Sequence, residues 1–182
     1  MYEVELKVRA EHDALRERLL AMGATQSGTI SQEDTYYDAP HREFAETDEA
    51  LRIRREERTA DGRRKTKITY KGPLVESESK TREELETHVD DGETVDSIFR
   101  RLGFDPVATV EKTRERYEHD GYTIVLDDVT GLGEFVEVET EADVVEPARD
   151  GAIQLLSDLG LDPDRHVRTS YLGMLLSGDH AE

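Results

Sequence analysis

At the start of the chain Glu3, Glu5 and Lys7 alternate with Tyr2, Val4, Leu6 and Val8. On a β-strand the first three share one face and the other four share the opposite face. Two carboxylates beside an ammonium admit two readings. They can form a solvated outer face with cross-strand ion pairs. Alternatively they line a polar interior, where carboxylates hold a hard cation such as Mg²⁺ or Mn²⁺ and the ammonium grips phosphates that such a cation bridges.

The split recurs along the chain. Arg52 and Arg54 oppose Leu51 and Ile53, while Lys65, Lys67, Thr69 and Lys71 oppose Ile68 and Tyr70. Lys112, Arg114 and Arg116 fall on one side of their run. Asp127 opposes Tyr122, Ile124 and Leu126, and Glu137 and Glu139 oppose Val136 and Val138. Composition decides between the readings. The formal net charge is −19, yet only 6 of the 24 basic residues are lysine. All of these lysines except Lys80 sit on the charged faces. A skin that is acidic and thinned of lysine does not carry such stripes. The inference is an inside-out barrel, with apolar faces outward under helices and charged faces inward around a wet tunnel. Buried charges of mixed sign partly offset one another. The cations among them suit an anion with many oxygens, and a triphosphate fits.

The elements that must position these residues follow from pattern and punctuation. A helix is expected over residues 11–22, stopped by Gly23, and an extended run over 25–38. A turn and short helix follow Pro40. The runs "ALRIRREER" and "KTKITYKGP" flank "DGRR" and read as a hairpin. "TREELETHVD" is a further strand, and "ETVDSIFRRLGF" a helix closed by Gly103. Residues 108–140 give three strands with turns at "HDG" and "TGLG". A helix over about 144–159 and a last one at "SYLGMLL" end the chain. The sum is an α+β fold, a closed eight-stranded antiparallel β-barrel with helices packed outside.

The bulk numbers narrow the function. Charged residues make up 37% and hydrophobic ones 35% of the 182 residues. An acidic excess of this size implies adaptation to concentrated salt, which screens self-repulsion. It argues against nucleic acid as a partner, because phosphate backbones need a basic footprint. Cysteine is absent, so thiolate metal sites are excluded. No membrane partner is expected, since no stretch approaches a membrane span and no apolar leader is seen; the expected location is the cytoplasm. The six histidines are scattered and are expected at the surface. "TGLGEF" lies between strands and reads as a turn rather than a phosphate loop. Asp34, Tyr36 and Asp38 read as strand packing.

These residues also carry a resemblance. "EVELK" is an ExExK motif near the N-terminus and resembles the signature of the CYTH superfamily, the triphosphate tunnel metalloenzymes. "YKGP", "TREELE", "VEKTRERY" and "LDDVTGLGEFVEVE" resemble that family's later strands in the same order. The last two are most similar to class IV adenylate cyclases. The resemblance implies one CYTH-like domain over residues 1–182. It implies that Glu3, Glu5, Asp127, Glu137 and Glu139 hold two Mg²⁺ or Mn²⁺ ions. It assigns the triphosphate to Lys7, Arg52, Arg54, Lys67, Lys71, Arg82, Lys112, Arg114 and Arg116. Ion pairing with neighbouring carboxylates competes with that role at Arg54, Lys67, Arg82 and Arg116. Lys7, Asp127 and Lys112 form the implied catalytic set. The implied reaction is conversion of ATP to cyclic AMP and pyrophosphate. Hydrolysis of an inorganic, nucleoside or thiamine triphosphate and non-catalytic polyphosphate binding are the alternatives. A homodimer is left open.

Overall fold

The computed structural model describes residues 2–76 and 81–178; Lys80 lies outside them. Eight strands, β1 (Tyr2–Arg9), β2 (Thr25–Asp38), β3 (Ala50–Arg58), β4 (Arg64–Glu76), β5 (Thr81–Val89), β6 (Asp105–His119), β7 (Tyr122–Val129) and β8 (Gly133–Ala142), close into one antiparallel barrel. Their order around it is β1-β5-β4-β3-β2-β6-β7-β8. The helices are α1 (His12–Ala21), α2 (Phe44–Thr47), α3 (Gly92–Arg101), α4 (Val145–Asp158) and α5 (Tyr171–Ser177). The β6–β7 turn shows local chemistry setting register. Asp120 and Gly121 both adopt positive φ, 48° and 82°, and His119 pairs with Tyr122. A two-residue turn with both residues left-handed matches the twist of the strands it joins.

Alternation sorts the faces as the inside-out reading requires. Leu6 and Val8 of β1, Tyr117 of β6, Ile124 and Leu126 of β7, and Val136 and Val138 of β8 are buried outside the barrel. They pack with Leu15 and Leu19 of α1 and with Ala152, Leu155 and Leu156 of α4. On the opposite face Lys7, Asp127 and Glu137 are also buried, but inside the barrel. The outer cover is not uniform. On the far side Phe99 of α3 packs edge-on against Tyr37, with ring centroids 5.2 Å apart, and the Tyr37 hydroxyl donates to Asp96. On β5, however, Leu85 is 58% exposed, so the expected helical cover stops short there.

Two further expectations change. His12 is buried rather than at the surface, because α1 starts against β8. Its Nε2 lies 2.9 Å from the Phe135 carbonyl, and its backbone N–H donates to Glu134. The tunnel-facing parity also turns apolar at one end. Val110, Val129 and Phe135 continue the inner faces of β6, β7 and β8, and they form a second core with Leu132, Tyr171 and Met174. Helix α5 therefore does more than end the chain, since it packs into the wall of the tunnel.

Candidate functional site

The inner faces enclose a cavity of about 580 Å³, lined among others by Glu3, Glu5, Lys7, Arg52, Lys112 and Glu139. Its carboxylates gather on the β1–β8 seam. Register places Glu5 directly opposite Glu139 and Lys7 opposite Glu137. Like charges facing across a ladder destabilise it unless something positive lies between them. Glu3, Glu5 and Glu139 each offer an oxygen within 4.8 Å of the others. Burial, together with Glu3, Glu137 and Glu5, pushes the Glu139 carboxyl up to about 7, although Arg114 opposes the rise. Burial also raises Glu3, against the pull of Lys71. Hard oxygens in a mutually repelling cluster fit a divalent cation such as Mg²⁺ or Mn²⁺.

The cations gather around β3 and β6. Arg54 of β3 faces Asp34 of β2 in register and grips it with two bonds of 2.7 Å. The same carboxylate lies 3.5 Å from Arg52 and 3.7 Å from Lys112. Burial alone would raise Asp34, but Arg54 and Arg52 hold it well below the usual carboxylate range. One carboxylate thus faces three cations, and the region is left net positive. Arg52 also reaches the Tyr36 hydroxyl at 3.4 Å, while its Nε has no hydrogen-bond partner among the described residues. Burial, with Arg114 and Arg54 nearby, pushes the Lys112 ammonium down to about 7.

Arg114 is held differently. It donates to both oxygens of Asp127, at 2.7 and 2.6 Å, and to Glu137 at 2.6 Å. Burial would lower its pKa, yet Asp127 and Glu137 raise it well above the ordinary value. Asp127 also accepts from the Tyr171 hydroxyl at 2.9 Å. Its oxygens are therefore already engaged, and it lies outside the Glu3–Glu5–Glu139 cluster. Glu137 likewise pairs with Lys7 at 3.2 Å.

The remaining expected residues spread along the tunnel. Lys71 bridges Glu3 at 2.6 Å and Glu84 at 3.0 Å. Lys67 bridges Glu86 at 2.9 Å. Arg82 is engaged near the rim by the Gly72 carbonyl at 2.9 Å and the Asp48 carbonyl at 3.3 Å. Arg116 is exposed and lies 3.7 Å from Glu118, and Lys65 is exposed too. Both share the tunnel-facing parity, but at their depth the barrel opens to solvent.

Several inner-wall residues stood outside the expected set. Asp34, expected in strand packing, is a fully buried tunnel carboxylate. Gln32 and Glu84 also line the cavity, and their alternation with Asp34 and Glu86 was the signal available for them. Tyr171 had no such signal, since it comes from a helix.

The CYTH domain profile matches residues 1–171. The "Putative adenylate cyclase MJ0240" of Methanocaldococcus jannaschii is 39% identical over 176 residues, covering 94% of this chain and 97% of that protein. The PH1819 protein of Pyrococcus horikoshii OT3 is 39% identical with a TM-score of 0.89, covering 97% of this chain and 99% of its own. A Hippeastrum structure, described as "Putative adenylyl cyclase HpAC1" with a dominant triphosphatase activity, shares the fold at a TM-score of 0.68. That last pair is 19% identical, over 97% of this chain and 95% of the other. Barrel, inward charges and profile agree: the chain belongs to the CYTH domain family.

Proposed function

We propose that the tunnel binds a nucleoside triphosphate with a divalent cation and converts ATP to cyclic AMP and pyrophosphate. The carrying observation is one cavity with a carboxylate cluster on the β1–β8 seam and a net positive region around Asp34. The adenylate cyclase name of the 39%-identical Methanocaldococcus jannaschii relative supports it. Glu3, Glu5 and Glu139 would hold the metal, with Glu137 beside them. Bound there, Mg²⁺ or Mn²⁺ supplies positive charge to the phosphate oxygens and acidifies a nearby hydroxyl.

The chain's own residues do the rest. Lys7, Arg52, Lys71 and Lys112 donate to the phosphate oxygens, as Arg and Lys do when desolvated. In the reaction the ribose 3′-hydroxyl loses its proton and its oxygen bonds to the α-phosphorus, the bond from that phosphorus to the bridging oxygen breaks, and pyrophosphate leaves, the proton ending on it or in solvent. Charge then accumulates on the leaving oxygens, and cations fixed in advance stabilise it without reorganising. Asp127 acts by holding Arg114 in place. Arg54, paired to Asp34, keeps its partner aimed at Arg52 and Lys112.

The decisive experiment incubates the protein with ATP and Mn²⁺ in concentrated salt and separates the products. Cyclic AMP with pyrophosphate supports the proposal. ADP with phosphate replaces it with triphosphate hydrolysis in the same tunnel. No turnover, with ATP bound all the same, leaves a binding module.

A further inference from the structure

We infer that Tyr171 is a positioning residue that holds the two tunnel lysines, Lys7 and Lys112, in place for phosphate; this rests on the triphosphate reading above. The residue belongs to α5, which lies outside the strand pattern. It is nonetheless 5% exposed and reaches the centre of the charged network. The Lys7 ammonium sits 3.8 Å from its ring centroid, and the Lys112 ammonium 5.1 Å from the same ring. Phe135 packs edge-on behind it at 5.0 Å, and its hydroxyl is anchored on Asp127. The approach of α5 is fixed from the other side too, since the Val167 amide donates to the Lys7 carbonyl at 2.6 Å.

The choice of an aromatic ring has a physical reason. Lys7 and Lys112 come from β1 and β6, which are separated in the barrel by β7 and β8. Two ammonium groups this close to one point repel each other and need negative potential between them. Glu137 already lies 3.2 Å from Lys7 and Asp34 3.7 Å from Lys112; a further carboxylate between the two would also bond the ammonium hydrogens, as Asp34 bonds Arg54. An incoming phosphate would then have to displace it. A ring face attracts both cations through its quadrupole and carries no formal charge. It steadies the lysines without competing as an anion for phosphate.

The test measures tripolyphosphate affinity by calorimetry for Tyr171→Phe, Tyr171→Leu and Tyr171→Met, with thermal melts alongside. Phenylalanine keeps the ring and should bind within about threefold of wild type. Leucine or methionine, each filling the site without a ring, should lose about tenfold or more. A double-mutant cycle with Lys112→Met gives a readout that packing alone would not move. The loss caused by Tyr171→Met should shrink when Lys112 is already gone. Folded leucine or methionine variants with wild-type affinity would overturn the proposal. So would a phenylalanine variant as weak as methionine, because the hydroxyl would then be the active part. Failure of the wild type to bind tripolyphosphate would instead overturn the triphosphate reading, and this proposal with it.

Discussion

Arg54 and Arg114 sit as deep in the tunnel as Arg52 and Lys112, at 6 to 8% exposure, yet they are held in opposite ways. The first two are each clamped by a carboxylate through two bonds of 2.7 Å or less. Among the described residues, the nearest ion-pair partners of the second two lie 3.5 and 3.7 Å away. The same residue types therefore serve two purposes. Clamped pairs satisfy themselves and form a frame. Loosely partnered cations keep hydrogen-bonding capacity and an unspent field, which an anion can use. Among these four side chains of β3 and β6, it is the distance to the nearest carboxylate, not residue type, that assigns Arg54 and Arg114 to the frame and Arg52 and Lys112 to the proposed site.

The largest effect should come from breaking a clamp. Asp34→Ala leaves Arg54 buried without its partner and removes the carboxylate facing Arg52 and Lys112. Loss of one member of a buried pair costs about 3–5 kcal/mol. The melting temperature should fall by roughly 10 °C at this chain length. Lys112→Met removes a cation that is poorly compensated, so it should melt near or above wild type. Equal melting of the two variants would erase the distinction between frame and site.

A second contrast lies within the site and reads turnover against metal concentration. Glu5→Gln should lower turnover by about tenfold or more, with partial recovery in excess Mn²⁺. Lys7→Ala should weaken substrate binding by roughly tenfold to a hundredfold, with no recovery, because a lost phosphate donor is not a lost metal ligand. Glu5→Gln should not lower stability, since it relieves the repulsion from Glu139. Wild-type turnover by both folded variants would place the site elsewhere.

Parity along the strands made the inside-out barrel and most of its lining legible in the sequence. Parity names a face, however, and not a depth. Arg116 and Lys65 have the correct face but are exposed, Arg116 lining the mouth of the cavity and Lys65 lying outside its lining. Nor does parity name the neighbour. Asp34 becomes the partner of Arg54 through the β2–β3 register, which depends on the whole closure of the barrel. Tyr171 enters from a helix whose docking is tertiary, so no strand periodicity could announce it.

A smaller effect sharpens the contrast through pH. The Lys112 ammonium titrates near 7 in the folded protein, against about 10.4 for a free lysine. Below pH 7 it is charged in both folded and unfolded states, and its burial penalty is present in full. Between pH 7 and about 10.4 the unfolded chain holds a proton that the folded one lacks, so this group makes stability rise with pH. Triphosphate would restore the charge. Binding at pH 8 should therefore take up a proton, measurable by calorimetry in buffers of different ionisation heat, and Lys112→Met should abolish that uptake.

The smallest effect concerns the skin rather than the tunnel. With a net charge of −19, added KCl should raise the melting temperature by screening surface repulsion. The Asp34→Ala deficit should persist in molar salt, because buried pairs are screened far less. A deficit that vanishes with salt would show that the clamp is reached by solvent.

The alternation of β1 also bears on how the chain finds its fold. In an ordinary half-solvated strand, a slip of one residue puts apolar groups into water and polar groups into the core. Here the same slip would drive Leu6 and Val8 into the tunnel and Lys7 beneath α1 and α4. Both sides of the strand are specified, so both reject the error. Because β1 joins β8 from the far end of the chain, that pairing needs long-range loop closure, which is slow to form. Glu5 and Glu139 meet only through this seam. The carboxylate cluster therefore comes into being when the barrel shuts, and a chain paired out of register does not assemble it.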